Sequence, residues 1–226
     1  MVTGAMRNPT LAGPDGPANL LAAVRVAASR EAAGLGALVV FNDEIHAARF
    51  VRKTHTSSPA TFHSPSAGPL AWIAEGRPRF TFRLPAHEGT PSSTGGEVPA
   101  VALLKVTLGD DSRLIEQIET LGYVGLVVEG FGGGRVPARV APALGDLATR
   151  IPVVLASRTG SGEALHETYG FAGSEWDLLS RGLISADVLD GLKARILLSQ
   201  LLCVDLDLDG VRQRFERVSA SIYFST

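Results

Sequence analysis

Ala37-Leu38-Val39-Val40-Phe41 is a continuous apolar run that leads into Asn42-Asp43-Glu44-Ile45-His46 and then, through Ala47 to Arg52, into Lys53-Thr54-His55-Thr56. An apolar run without polar alternation is the pattern of a strand buried on both faces in a parallel sheet. Val101 to Val106, Val124 to Val128 and Ile151 to Leu155 read the same way. Helical candidates alternate with them. Ala18 to Arg30 follows the start signal Asp15-Gly16-Pro17 and carries Leu20, Val24 and Ala27/Ala28 at helical spacing. Ser112 to Leu121 places Leu114, Ile115, Ile118 and Leu121 on one face, and Ala138 to Thr149 follows Pro137. Ser185 to Leu202 is the longest, with Ser185 as its expected N-cap. Strand–helix–strand alternation of this kind predicts an α/β fold with mostly parallel sheets.

Working outward, the rhythm breaks at Pro85 to Gly96, a stretch rich in Pro, Gly, Ser and Thr between strand-like Phe80 to Leu84 and Val101 to Leu104. That composition marks a linker. It divides the chain into 1–84, a connection at 85–98, and 99–226. The length of 226 residues corresponds to about one and a half average domains. A formal net charge of −2 excludes a whole-protein basic field for nucleic acid. Apolar runs such as Ile196 to Leu198 are far too short to span a bilayer, so no membrane partner is expected. Met1 to Arg7 has no apolar core of a signal peptide, and the single cysteine, Cys203, fits a reducing cytoplasm.

Four segments offer chemistry. Asp205-Leu206-Asp207-Leu208-Asp209-Gly210, with Glu216, fits the spacing of a calcium loop, but Arg212 stands where such loops carry an aliphatic residue and there is no second hand. The plainer reading is an acidic turn with Asp209 capping a helix from Gly210 to Val218. Glu129 to Pro137, with three consecutive glycines, is either a tight β–α turn or a cradle of backbone amides for an anion. Ser157 to Gly162 follows a strand at the sheet end where α/β folds bind ligands. The five histidines show no metal-ligand spacing, so no metal site is expected. Lys53, among hydroxyls, is either a solvated surface lysine or a proton carrier for a threonine or serine nucleophile.

Nine short pieces in order through nearly the whole chain carry a resemblance. They are TGAMR (Thr3 to Arg7), DGPANL (Asp15 to Leu20), VVFNDEIHAAR (Val39 to Arg49), KTHT (Lys53 to Thr56), SP with GPL (Ser64 to Leu70), GFGGGRVP (Gly130 to Pro137), SR with Gly (Ser157 to Gly162), YGF (Tyr169 to Phe171) and LKARILL (Leu192 to Leu198). The chain resembles the bacterial L-asparaginase/glutaminase family that uses a threonine nucleophile. That resemblance implies two three-layer α/β domains, hydrolysis of asparagine and in some members glutamine, no cofactor, and a homodimer or homotetramer. It implies Lys53 as the catalytic proton carrier. Gly4, Ala5, Met6 and Thr54 become candidate substrate-binding residues. Gly109 and Asp110 become candidates for reaching a neighbouring subunit's site.

The family's T-G-G-T-I-like nucleophile segment and its T-D-T segment are not found in the chain; Thr94-Gly95-Gly96, followed by Glu97, is a chance echo within the linker. A proton carrier without a nucleophile cannot carry out covalent acyl transfer. The expectation is therefore an N-terminal domain that starts part-way through, and an asparaginase-like amidohydrolase with little or no activity as these residues alone. The alternative is a non-catalytic remnant that binds a ligand or a partner subunit.

Overall fold

A computed structural model describes residues 1–85, 89 and 97–222. Most of the proposed linker, including Thr94-Gly95-Gly96, lies outside the described residues. The chain divides into two units, Met1–Ala86 and His87–Thr226.

In the first unit, helix α1 (Gly16–Ala27) is followed by β1 (Leu38–Phe41), β2 (Glu44–Ala47), β3 (Arg52–Lys53), β4 (Phe62–His63), β5 (Ala71–Ala74) and β6 (Arg77–Phe80). Four strands form a sheet in the order β1-β2-β5-β6, and β3 pairs with β4 as a separate ribbon. Both β1/β2 and β5/β6 are hairpins with two-residue loops, and all four loop residues are left-handed: Asn42 (φ 51°), Asp43 (φ 61°), Glu75 (φ 49°) and Gly76 (φ 73°). Loops of this hand match the twist of antiparallel strands. That is why the apolar run at Leu38–Phe41 folds back on β2 as a hairpin arm. The described sheet of this unit is thus antiparallel, with one parallel bridge from Val2 to Val39, where the run alone predicted parallel pairing. Helix α1 packs on β1 and β6 through Asn19, Ala22, Ala23 and Val26. Leu20 and Val24, the expected buried face, are 60% and 58% exposed. Small alanines beside a hydrogen-bonded asparagine let the helix approach the sheet more closely than the leucine stripe would.

The second unit matches the parallel α/β expectation. Its elements run β7 (Val101–Lys105), α2 (Arg113–Glu116), β8 (Gly125–Gly130), α3 (Ala141–Ala148), β9 (Val153–Ser157), α4 (Glu175–Ser180), β10 (Ile184–Ser185), α5 (Gly191–Leu201) and α6 (Leu208–Ala220). The sheet order β10-β9-β8-β7 is parallel throughout. Leu126, Val128 and Leu155 meet Ile115, Leu144, Leu147 and Leu178 in one buried cluster, and α5 packs on β7, β8 and β9. Alternate residues of a buried strand thus serve two helical layers.

Two helix caps differ from expectation. Ser185 ends β10, and α5 is capped instead by Asp190, whose carboxylate accepts the Lys193 N–H at 3.0 Å. Helix α6 is capped by Asp207, which accepts the Gly210 N–H at 2.8 Å, so Asp209 lies inside the helix. Asp209 and Glu216 therefore sit on one continuous helix and cannot wrap around an ion as a calcium loop must. Among the described residues no group of three or more acidic, His or Cys side chains is placed to hold a metal, and no helix is long and apolar enough to cross a membrane.

Candidate active site

The ribbon β3/β4 carries Lys53. Its register sets Lys53 opposite Phe62 and Arg52 opposite His63, so each pair shares a face. The loop beyond it is closely tied. The Thr54 N–H and Oγ1 donate to the Thr61 carbonyl at 2.8 and 3.0 Å. Thr61, fully buried, accepts the His55 N–H at 2.8 Å and donates its hydroxyl to the His55 carbonyl at 2.6 Å. The His55 Nδ1 in turn accepts N–H bonds from Ser57 and Ser58 at 3.1 and 3.0 Å, which fixes the proton of the neutral ring on Nε2. Lys53 itself is exposed.

The ribbon is fixed to the sheet at two points. Phe62 packs on Phe41 with ring centroids 4.6 Å apart. Ser64 Oγ lies 3.0 Å from His46 Nδ1, and His46 Nε2 lies 3.0 Å from Glu44 Oε2. The β1/β2 register places Phe41 opposite Glu44 and Val39 opposite His46, so both anchors rise from one face of the hairpin. Burial holds the His46 imidazole below its ordinary pKa of 6.5, against an opposing pull from Glu44. It is therefore neutral at neutral pH. A cleft of about 410 Å³ opens among Glu44, His46, Thr54, His63 and Ser64. Glu44, His46 and Ser64 lie within pieces that carry the resemblance, but nothing in the sequence signals that they meet.

The Thr3 to Arg7 segment lies against the same hairpin. Thr3 Oγ1 donates to the Val40 carbonyl at 2.7 Å, and a Cβ on Gly4 would meet Phe41 at 3.7 Å. Gly4 and the ribbon residue Phe62 thus share Phe41 as a neighbour. Gly4 and Ala5 are exposed and Met6 is half-buried. Two residues of the Asp15 to Leu20 piece, given no site role in the sequence, hold this segment in place. Asn19, buried, donates to the Gly4 carbonyl at 3.0 Å and accepts the Asn42 N–H at 2.9 Å. Asp15 accepts the Met6 and Arg7 amides at 3.0 and 2.9 Å.

The Arg7 and Met6 amides hold the Asp15 carboxyl below the usual carboxylate pKa. A folded pKa below the unfolded one gives stability that is fully present at neutral pH and is lost as pH falls through the folded value. Asp15→Asn is expected to lose about 1 kcal/mol at pH 7. Urea unfolding at pH 7, 5 and 3 checks it, with the gap between the two proteins shrinking towards pH 3.

In the second unit, Gly109 and Asp110 follow β7 beside a cleft of about 370 Å³. The Asp110 carboxylate accepts the Thr107 hydroxyl at 2.5 Å and the Thr107 N–H at 2.6 Å, which lower its pKa in that order, and Arg139 donates to the Gly109 and Asp110 carbonyls. The glycine-rich segment is a closed turn: Gly134 and Arg135 donate their amides to the Phe131 carbonyl, and Phe131 donates to Arg135. Gly130 is required there, since a Cβ would lie 2.8 Å from the Arg135 carbonyl oxygen. Ser157 spends its hydroxyl on the Gly132 carbonyl at 2.5 Å. Arg158 stacks on Phe131 at 4.4 Å and donates to the Val106 carbonyl at 3.1 Å, which ties three strand ends together.

Residues 1–85 match the family model for the N-terminal asparaginase domain, and residues 100–215 match that for the glutaminase/asparaginase C-terminal domain. The chain belongs to the asparaginase family. It is 31% identical to L-asparaginase of Bacillus licheniformis and 34% identical to a probable L-asparaginase of Deinococcus radiodurans, in each case over 95% of this chain and 66% of the relative. It is 32% identical to L-asparaginase 2 of Escherichia coli over 96% of this chain and 62% of that protein. The chain therefore spans slightly less than two thirds of the length of these relatives.

Proposed function

We propose that the chain supplies the proton carrier and part of the substrate pocket of an L-asparaginase-type amidohydrolase, which converts asparagine to aspartate and ammonia. The observation that carries this reading is the tethered ribbon: Lys53 stands exposed on a strand that Phe41 and His46 hold in place, with Gly4 packed against the same Phe41. In this reading Lys53 takes up the proton of a threonine hydroxyl as it attacks the side-chain amide and returns it to the departing ammonia. The backbone of Gly4, Ala5 and Met6 lines the pocket together with Thr54. In this reading the threonine nucleophile is supplied by polypeptide outside these residues, which hold neither a T-G-G-T-I-like nor a T-D-T segment. The reading needs no cofactor.

The assembly proposed is a homodimer or homotetramer in which the loop at Gly109 and Asp110 reaches a neighbouring site. Exposed Tyr169, Phe171 and Trp176 offer apolar surface to such an assembly. The single cysteine supports a cytoplasmic location; a relative from Haemophilus influenzae is named a probable periplasmic L-asparaginase, and cell fractionation decides between the two compartments.

Ammonia release from L-asparagine and from L-glutamine tests the reading. Faster release from asparagine is expected. Release from neither, by a preparation that contains the nucleophile segment and is folded, supports the non-catalytic alternative.

A further inference from the structure

We propose that His46 is a positioning residue: the chain Glu44–His46–Ser64 holds the ribbon that carries Lys53 in its working place over the sheet. The inference rests on the reading of Lys53 as proton carrier, but its geometry stands by itself. An isolated two-stranded hairpin is marginally stable in water, and β3 and β4 are only two residues each. The ribbon needs anchors, and it has two. Phe62 on Phe41 is an apolar contact that tolerates sliding. Ser64 on His46 is directional and fixes the register.

The proton positions follow from the partners. The Glu44 carboxylate only accepts, so the Nε2 of the neutral ring donates to it and Nδ1 accepts the Ser64 hydroxyl proton. His46 is 1% and Ser64 5% exposed, so neither group can exchange its partner for water without local opening. Ser64 is firmly held on its other side, since its carbonyl accepts the Ala67 and Gly68 amides at 3.1 and 2.8 Å, and the Leu70 amide then bonds to the Ile45 carbonyl at 2.7 Å. Around His46, the groups that titrate are Glu44 on its own strand and His63 on β4.

Hydrogen exchange at the Thr54 and His55 amides, which Thr61 holds within the ribbon loop, reads the anchor without any need for turnover. In His46→Leu these amides are expected to exchange about tenfold faster or more, while the amides of Val127 and Val154 in the second unit keep their rates. His46→Asn, whose side-chain oxygen reaches the Nδ1 position and can accept the Ser64 hydroxyl, is expected to restore protection to within about threefold. Ser64→Ala, a smaller change less able to unfold the unit, is expected to reproduce the loss seen in His46→Leu. Unchanged exchange in Ser64→Ala, or equal loss in His46→Asn and His46→Leu, overturns the proposal. In a turnover assay of a preparation that also contains the nucleophile segment, His46→Leu is expected to lower kcat about tenfold with KM within about twofold. If Lys53→Ala leaves turnover intact while the exchange pattern holds, the reading of Lys53 fails and the anchoring of the ribbon stands.

Discussion

In a preparation that also contains the nucleophile segment, Lys53→Ala is expected to lower kcat for asparagine by about 10²–10⁴-fold, or roughly 3–5 kcal/mol of transition-state stabilisation, with a much smaller change in KM. A group that moves a proton only in the transition state contributes to kcat and little to ground-state binding. Lys53→Arg is expected to rescue little. A guanidinium keeps its proton at every accessible pH and cannot act as the base that activates a hydroxyl. Lys53 is exposed on a ribbon held through Phe62 and Ser64, so neither substitution should disturb folding; thermal melts within about 2 °C of the parent check this. Steady-state ammonia release is the measurement. An alanine variant that keeps its kcat would remove Lys53 from the chemistry.

Gly173→Ala is expected to destabilise the second unit by about 2–4 kcal/mol. Gly173 has φ of +84°, and a Cβ there would lie 2.4 Å from the Val136 carbonyl oxygen and 3.2 Å from the Ala138 backbone. Neither neighbour is a flexible side chain that can swing away. The same glycine accepts the Val136 amide at 2.9 Å and donates to Asp177 at 2.8 Å, so a shift would disturb both the turn after β8 and the start of α4. Gly122, with φ of +82° and open space at its Cβ position, separates the two causes. Gly122→Ala carries only the conformational cost of about 1 kcal/mol. Urea unfolding of both variants measures the difference. Equal losses would mean that the clash is relieved at no cost.

The second unit was largely legible because its signals are local. The runs at Val101, Val124 and Ile151 are strands, and the stop at Gly130 is a tight turn. The first unit was harder, since its hand depends on four loop residues. Asn42-Asp43 and Glu75-Gly76 were in plain view, but a short apolar run does not tell a parallel strand from a hairpin arm, and only the left-handed loop geometry decides. Helix α1 turned the other way because burial was set by the hydrogen bonds of Asn19, which link residues 4, 19 and 42 and have no local signature. Lys53 was found through its KTHT context, which the family resemblance picked out. The linkage of its supports was not legible: Ser64, His46 and Glu44 come together only once β4 lies over the β1/β2 hairpin. The helix N-cap expected at Ser185 fails for the same reason, as Ser185 satisfies the local rule for a cap while tertiary pairing draws it into β10.

The central claim is that these residues form the proton-carrying portion of an asparagine amidohydrolase. Its most direct test combines the purified chain with the portion of the Bacillus licheniformis relative that the match leaves uncovered, supplied as a separate polypeptide, and follows ammonia release from L-asparagine. Little release is expected from either polypeptide by itself, and sustained release from the co-purified pair. A co-purified, folded pair that releases no ammonia from asparagine would contradict it.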